Sequence, residues 1–329
     1  MRRRDILAGF PLIPLFRPFP AHAQRGLDIP RIGVLWPGAS ADAEHIRLEA
    51  LREGLKGVGL VHGENIVLEN RFAKQQPDEF RRHSEELASL NVAVLVAITQ
   101  PAALAAQRAT KTLPIVFLLA PDPVGTGLVD SLAMPGGNIT GLSTMAVEYI
   151  GKRLEILKEV IPTLESVGIL LNVQDAETAM RYSAAARASG EILGVIVISL
   201  EVRSGPDLND AISRSLRERV QGIMTTQDGL FFAERRRIAG LALAHRIPVV
   251  AATRDLVESG VLMAYGPNLP AIIRRGGLLI SKILSGSRPR DLPVEQPTKF
   301  ELFVNQTTAH IIGVEVPPTL LARADEVIE

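Results

Sequence analysis

The chain contains no cysteine among its 329 residues. This absence excludes disulfide bonds, thiolate metal sites, a cysteine nucleophile and a lipid-modified N-terminal cysteine as a membrane anchor. Net charge is also missing, because 36 basic and 36 acidic residues cancel. A neutral chain lacks a general electrostatic attraction to nucleic acid, so we expect no nucleic-acid partner. The 47% hydrophobic and 22% charged content is that of a globular protein.

The common signatures of catalysis are absent as well. None of the six histidines forms H-E-x-x-H or pairs with another ligand at metal spacing. The chain has neither a G-x-S-x-G nucleophile elbow nor a P-loop, and its two G-x-G segments, at 57–59 and 125–127, lack the third glycine of a dinucleotide fingerprint. We therefore expect no metal, no cofactor and no enzymatic activity, although an α/β enzyme with an unrecognised site remains an alternative.

The first residues resemble an export signal. Arg2, Arg3 and Arg4 form a basic region, an apolar stretch follows at 6–16, and an A-x-A cleavage signal stands at 21–23. The Arg3-Arg4 pair also matches the twin-arginine pattern. We expect residues 1–23 to be a signal peptide. No later run reaches the roughly 18 apolar residues of a membrane span, so the sequence predicts export without an anchor.

Strand and helix patterns alternate from residue 31 onward, which indicates parallel sheets built from βαβ units. Strands are predicted at 31–36, 65–72, 92–98 and 115–119, and again at 167–171, 195–200, 222–226 and 248–252. The second strand alternates apolar and polar residues, which favours a sheet edge. Two consecutive four-strand units predict two similar lobes that face each other. Helices are predicted between the strands of the second unit, near 176–193, 207–219 and 230–246. Short strands at 262–265 and 300–304 and helices at 269–284 and 307–312 complete the pattern.

One strand end is especially informative. The run 92–98 is apolar without alternation, as in a strand buried on both faces, and it ends in Thr99, Gln100 and Pro101. Proline suits the first turn of a helix, so a helix N-terminus should begin there. Ligands of open α/β sheets bind beyond the carboxyl ends of the strands. This turn is therefore a candidate wall of a ligand site.

Other polar residues follow predicted strands or crossings in both lobes. The candidate ligand-binding set is Ser40, Thr99, Gln100, Pro101, Asp122, Ser143, Asn172, Asp228, Thr253, Arg254 and Tyr265. Asp122 and Asp228 could hold an amine, and Arg254 or a helix N-terminus could take a carboxylate. Tyr265 could form an amphipathic wall or pack in a hinge. Each polar residue taken alone is better explained as a helix cap or turn residue, and it is the set as a whole, on both lobes, that predicts a binding cleft.

Several ordered blocks resemble the ABC transporter substrate-binding protein family that includes the tryptophan-type binding proteins. The blocks are 99–106 (TQPAALAA), 109–117 (ATKTLPIVF), 122–129 (DPVGTGLV), 135–143 (PGGNITGLS), 151–155 (GKRLE), 265–269 (YGPNL), 292–301 (LPVEQPTKFE), 317–321 (PPTLL) and 323–329 (RADEVIE). The resemblance covers about residues 31–329.

The resemblance implies a type I periplasmic-binding-protein fold, with two Rossmann-like α/β lobes joined by a three-segment hinge. Lobe 1 would comprise 31–143 plus 266–293, and lobe 2 would comprise 144–265 plus 294–329. It further implies a monomeric periplasmic receptor that captures a small polar metabolite, such as an amino acid, by hinge closure. The partners would be an ABC permease and its ATPase subunit. The ligand-sensing effector domain of a transcription regulator is a second alternative, since such proteins share this architecture.

Overall fold

The computed structural model describes residues 29–329, so the signal-peptide prediction at 1–23 lies outside the described residues. Within them the strands are β1 (Arg31–Trp36), β2 (Val67–Phe72), β3 (Val94–Ile98), β4 (Ile115–Ala120), β5 (Ile139–Ser143), β6 (Ser166–Asn172), β7 (Ile196–Val202), β8 (Ile223–Thr225), β9 (Val249–Ala251), β10 (Met263–Pro267), β11 (Phe300–Asn305) and β12 (Glu326–Ile328).

Helices connect these strands throughout the described part of the chain. They are α1 (His45–Lys56), α2 (Pro77–Ser89), α3 (Gln100–Ala109), α4 (Ile150–Val160), α5 (Ala176–Leu193), α6 (Asp207–Arg217), α7 (Gly229–Ala233), α8 (Arg235–Ala244), α9 (Arg254–Glu258), α10 (Leu269–Leu284), α11 (Gln306–Ile312) and α12 (Pro318–Leu321). No helix in residues 29–329 combines the length and the apolar character that a membrane crossing requires.

The first lobe is a five-stranded parallel sheet in the order β2-β1-β3-β4-β5. Its central strand β3 is buried at every position, because apolar clusters cover both faces of the sheet. The alternating strand β2 lies at the edge, as its pattern predicts. Helix α10 returns to this lobe late in the chain and packs against α1 at Gly54 and Gly277, where a Cβ on Gly277 would overlap the Gly54 backbone.

The second lobe is a seven-stranded sheet in the order β12-β11-β10-β9-β8-β6-β7. All neighbouring strands are parallel except β10 and β11, which are antiparallel. The predicted parallel sheets are therefore confirmed, and this pair is an antiparallel exception. After β10 the chain crosses to the first lobe, forms α10, and comes back. Strand β11 therefore starts at the end of the sheet where β10 finishes, and it runs in the opposite direction.

Three segments join the lobes, and aromatic side chains from all three meet. Tyr149 follows the first crossing, Tyr265 precedes the second and Phe300 follows the third. Their ring centres are 3.7 Å apart for Tyr149 and Phe300, 6.0 Å for Tyr265 and Phe300, and 6.4 Å for Tyr149 and Tyr265. Fully buried Arg153 adds a hydrogen bond from its Nε to the Tyr265 carbonyl, at 2.9 Å.

The crossings differ slightly from the predicted lobe limits at 266 and 294. Gly266 and Pro267 still pair with β11 in the second sheet. Conversely, the Val294 N–H donates to the Leu132 carbonyl at 2.7 Å, and the Glu295 N–H donates to the Gly141 carbonyl at 3.0 Å. The third crossing segment therefore stays with the first lobe for two residues longer than predicted, because it borders β5.

Candidate ligand-binding site

A cavity of about 560 Å³ lies between the two lobes, where strands of both sheets end. Such a volume falls within the range of about 300–1,000 Å³ that is typical of small-molecule sites. Its polar lining includes Arg47, Gln75, Thr99, Gln100, Asn172, Gln174, Asp175, Thr178, Thr226, Gln227, Asp228 and Thr253. Its apolar lining includes Phe80, Leu104, Leu119, Phe231, Phe232, Leu256 and Leu269. Both lobes therefore contribute polar and apolar groups to one chamber.

The first-lobe wall is formed where β3 turns into α3. Thr99 has φ 83° and ψ 162°, a conformation that non-glycine residues rarely adopt and that costs of order 1–3 kcal/mol. Gln100 is 1% exposed, and its Nε2 donates to Thr178 Oγ1 of the second lobe at 3.1 Å. This bond spans the cleft, so the two walls are in direct contact.

Backbone strain is not confined to Thr99. Gln75 at φ 57° and Leu119 at φ 67° also line the cavity in the left-handed region. Strained conformations persist only where the surrounding structure enforces them, and they concentrate at binding and catalytic sites. Three of them on one cavity wall mark this part of the first lobe as a binding-site candidate.

Asp228 is the principal acidic group of the second-lobe wall. It caps α7, because its Oδ1 accepts a hydrogen bond from the Leu230 N–H at 2.7 Å. The same oxygen also accepts a hydrogen bond from Asn172 Nδ2 at 3.0 Å. Burial raises the pKa of Asp228 to about 6, although those two hydrogen bonds oppose the rise. The carboxylate is therefore ionised at neutral pH at an energetic cost. A cation placed beside it would remove that cost.

Four buried oxygen atoms of cavity-lining residues have no hydrogen-bond partner within the described protein. They are Thr99 Oγ1, Gln100 Oε1, Gln227 Oε1 and Thr253 Oγ1. Two are hydroxyls that can donate or accept, and two are amide oxygens that only accept. Buried polar atoms are nearly always satisfied in folded proteins, so these atoms are available to a solute or to water.

Arg47 brings a buried positive charge to the cavity. Its Nη1 donates to Glu44 Oε2 at 3.2 Å, and its guanidinium lies 3.8 Å from the centre of the Phe232 ring in the second lobe. Burial raises the pKa of Asp255, and the Arg47 charge partly opposes that rise. Arg47 therefore links the lobes electrostatically on one side of the cleft.

A second ionic contact joins the lobes elsewhere. Arg181 Nη1 of α5 donates to Asp122 Oδ2 at 3.1 Å, and Asp122 Oδ1 accepts from the Gly125 N–H at 2.8 Å. Asp122 does not line the cavity. Its carboxylate holds the opposite lobe and its own turn, which differs from the predicted role of holding an amine.

Six of the predicted site residues line the cavity, namely Thr99, Gln100, Pro101, Asn172, Asp228 and Thr253. Four others, besides Asp122, lie elsewhere, and each has a structural task. Exposed Ser40 accepts from the Ala43 N–H, and buried Ser143 Oγ donates to the Ala120 carbonyl. Arg254 is exposed, pairs with Glu258 and Glu326, and does not line the cavity. Tyr265 belongs to the hinge aromatic cluster.

Several lining residues were not predicted, Arg47, Gln75 and Phe232 among them. Arg47 and Phe232 lie within helices, and no local pattern distinguishes them from other helix residues. Gln227 does carry a local signal, because it directly follows the predicted strand at 222–226 and precedes Asp228. Within residues 29–329 no group of three or more His, Asp or Glu side chains is arranged to hold a metal ion.

Comparison with known proteins identifies the family. The model of the ABC transporter substrate binding protein family matches residues 32–328. The chain belongs to this family. A curated relative, the tyrosine-binding protein of Clostridioides difficile, is 27% identical over 286 residues, which are 84% of this chain and 81% of that protein.

Solved structures of substrate-binding proteins show the same two-lobed, type I fold. A Streptococcus pneumonia ABC domain in complex with L-Trp has a TM-score of 0.84 at 22% identity. A ligand-free, open substrate-binding protein of Clostridium difficile has a TM-score of 0.66 at 26% identity. Both comparisons cover 91% of this chain and 99% of the other.

Proposed function

We propose that this protein is the periplasmic solute receptor of an ABC importer and that it captures an amine-bearing small molecule by closure of its two lobes. It would deliver that solute to a membrane permease driven by an ATPase subunit. The family membership supports this role in transport. The role is capture and delivery, without chemical conversion of the solute.

The observation that carries the proposal is the division of the cavity's polar groups between the lobes. Thr99 and Gln100 belong to the first lobe, whereas Gln227, Asp228 and Thr253 belong to the second. A solute shifts an open–closed equilibrium only when it binds one state more tightly than the other. A solute that bonds to both walls does so only in the closed state, so it favours closure.

The chemistry of these groups favours an ammonium ion. Asp228 supplies a buried carboxylate, and Gln100 and Gln227 supply buried amide oxygens that only accept. An ammonium group has three donors and a positive charge, which suits one carboxylate and two neutral acceptors. Arg47 is a cationic group beside the cleft end of the same cavity and could take an anionic group of the solute. Amino acids, free or as the first residue of a larger solute, are the first candidates, because the Clostridioides relative is a tyrosine-binding protein and the Streptococcus structure holds L-Trp.

The direct test is to identify and measure the solute. Native mass spectrometry of purified protein, before and after denaturation, would reveal any co-purified molecule. Titration calorimetry with L-tyrosine and L-tryptophan, together with small-angle scattering, would link binding to compaction. Asp228→Asn should weaken binding, whereas Asp210→Asn, an exposed carboxylate outside the cavity, should not. Tight binding without compaction, or binding indifferent to Asp228→Asn, would contradict the proposed capture mechanism.

The periplasmic location is tested separately. The proposal expects that, in a Gram-negative host, the mature protein is found in the periplasmic fraction and begins at Gln24 after removal of residues 1–23. Cell fractionation with N-terminal sequencing of the recovered protein measures both. A cytoplasmic protein that retains Met1 would contradict the export prediction and would favour an intracellular ligand-sensing role.

A further inference from the structure

The cavity continues beyond the cleft onto the first lobe, along the facing sides of α2 and α3. Its lining there comprises Phe80, Arg81, Glu85, Leu104, Ala105 and Arg108, which we call the α2–α3 groove. Positions 77, 81 and 85 of α2, and 101, 105 and 109 of α3, recur every four residues, so each helix presents a single face. The groove is therefore continuous with the cleft and runs along both helices.

The length of the groove follows from helix geometry. Seven residues separate Pro101 at the cleft from Arg108 near the end of α3, which corresponds to about 10 Å at 1.5 Å per residue. An extended peptide advances about 3.3–3.6 Å per residue. The groove therefore has room for about three residues of extended chain. The amine and the carboxylate of a free amino acid share one carbon, so such a molecule cannot reach both ends.

The chemistry changes from one end of the groove to the other. At the cleft end lie Asp228 and the buried, unpartnered Gln100 Oε1, both of which accept hydrogen bonds. Leu104 and Ala105 then form an apolar floor. Arg81, one turn along α2, is paired with Asp78 at 3.3 Å. At the outer end lie exposed Arg108 and exposed Glu85, and neither forms an ion pair with any of residues 29–329. An amine at the inner end and an anion at the outer end would match this order of groups.

We propose that the solute is a short peptide of about three residues, whose N-terminal ammonium lies at Asp228 and whose C-terminal carboxylate reaches Arg108 along the α2–α3 groove. This inference rests on the proposed function, because it assumes that Asp228 anchors an amine. It assigns two further roles within that site. The groove sets the length of the solute, and Arg108 recognises its terminal charge.

Titration calorimetry with three probes tests the peptide. The probes are L-tyrosine, the tripeptide Tyr-Ala-Ala and the same tripeptide with an amidated C-terminus. The unmodified tripeptide should bind about tenfold or more tightly than tyrosine. Amidation should weaken it by about two- to fivefold, the usual effect of one exposed charge pair.

Two variants place the effect in the groove, and each has a matched control. Ala105→Trp should remove the advantage of the tripeptide over tyrosine. Ala93→Trp, at an exposed position outside the cavity, should leave that advantage intact. Arg108→Gln should weaken the tripeptide by about two- to fivefold without affecting its amide, and exposed Arg236→Gln on α8 should have no effect. Thermal unfolding of each variant verifies that it is folded.

The possible results separate this inference from the function on which it rests. Tyrosine binding that depends on Asp228, with no gain for the tripeptide, would overturn the peptide inference alone. A tripeptide that binds equally well to the Ala105→Trp variant would also overturn it. If neither tyrosine nor the tripeptide responds to Asp228→Asn, the amine anchor fails and both proposals fall.

Discussion

Replacing Asp228 by asparagine should make the solute-free protein more stable at neutral pH while impairing solute binding. Burial raises the pKa of this carboxyl from 3.8 to about 6, so the folded protein holds the proton more tightly than the unfolded chain does. A raised acid pKa means that stability is lost as the pH rises through the window from about 4 to 6. Above pH 6 the whole penalty is present, and a neutral asparagine does not incur it.

The shift of about two pKa units corresponds to about 3 kcal/mol at 1.36 kcal/mol per unit. The side chain is only partly buried, so solvent screening reduces this figure to about 2 kcal/mol. The asparagine oxygen can still accept from the Leu230 N–H, which preserves the cap of α7. At roughly 2 °C per kcal/mol, the midpoint of thermal unfolding at pH 7.5 should rise by about 4 °C.

Thermal unfolding of both proteins without solute, at pH 7.5 and pH 4.5, measures this effect. At pH 4.5 the folded carboxyl is already protonated, so the advantage of the variant should fall to about a third of its value at pH 7.5. A variant that is destabilised equally at both pH values would refute the reasoning, because the lost group would then contribute only its hydrogen bonds. Exposed Asp210→Asn serves as the control.

The remaining predictions concern pH, lobe packing and closure. Affinity of the wild type for an amine probe should fall about tenfold between pH 7.5 and pH 5 as Asp228 takes up a proton, and calorimetry showing no fall would exclude the ionised carboxylate as anchor. Gly277→Ala should lower the free energy of unfolding, measured by denaturant titration, by about 1–3 kcal/mol, because the added Cβ overlaps the α1 backbone. Gly57→Ala is the control: its added Cβ would lie at normal contact distances, so the same titration should show no change. Arg181→Met removes the ionic contact with Asp122, so it should weaken solute binding about two- to fivefold and increase the average radius of gyration in small-angle scattering. An unchanged radius and affinity would show that this ion pair does not stabilise the closed state.

Helices with strong local signals were predictable from the sequence. The predicted limits of α5 and α10 coincide with the observed ones. Asp175 and Asn268 accept from the Thr178 and Ala271 N–H groups and so fix the helix starts, and Gly194 ends α5 in the left-handed conformation. These signals are carried by the chain itself, within a turn of the boundary.

Elements that depend on distant partners were not predicted. Strand β5 lacks an apolar run, and its Gly141 fits against β4 because a Cβ there would overlap the Phe117 carbonyl. The three-residue strand β12 exists by pairing with β11. The predicted helix at 230–246 is two helices, α7 and α8, divided at Glu234. In each case the deciding contact is tertiary.

The same distinction applies to the site. A position at a strand end predicted that Thr99 and Asp228 would lie at the cleft, because the carboxyl ends of parallel strands meet there. It could not predict that Arg254 would turn to Glu258 and Glu326, nor that Arg47 would enter the cavity from within a helix. Strand topology determines which backbone reaches the rim, whereas the direction of each side chain depends on its neighbours.

The selectivity of the cavity depends on which of the interactions between protein and solute can be replaced by interactions with water. A cavity of this size holds water in the absence of solute, and water can satisfy hydroxyl and amide groups such as those of Thr253 and Gln227 nearly as well as a solute does. Each of those groups therefore contributes little to the choice between solutes. Water cannot neutralise the partly buried charge of Asp228, which costs about 2 kcal/mol at neutral pH. A cation removes that cost, whereas a hydroxyl of the same shape does not. Between two solutes that differ only in an ammonium and a hydroxyl group, the cavity should therefore prefer the ammonium, and titration calorimetry with such a pair of solutes measures this preference.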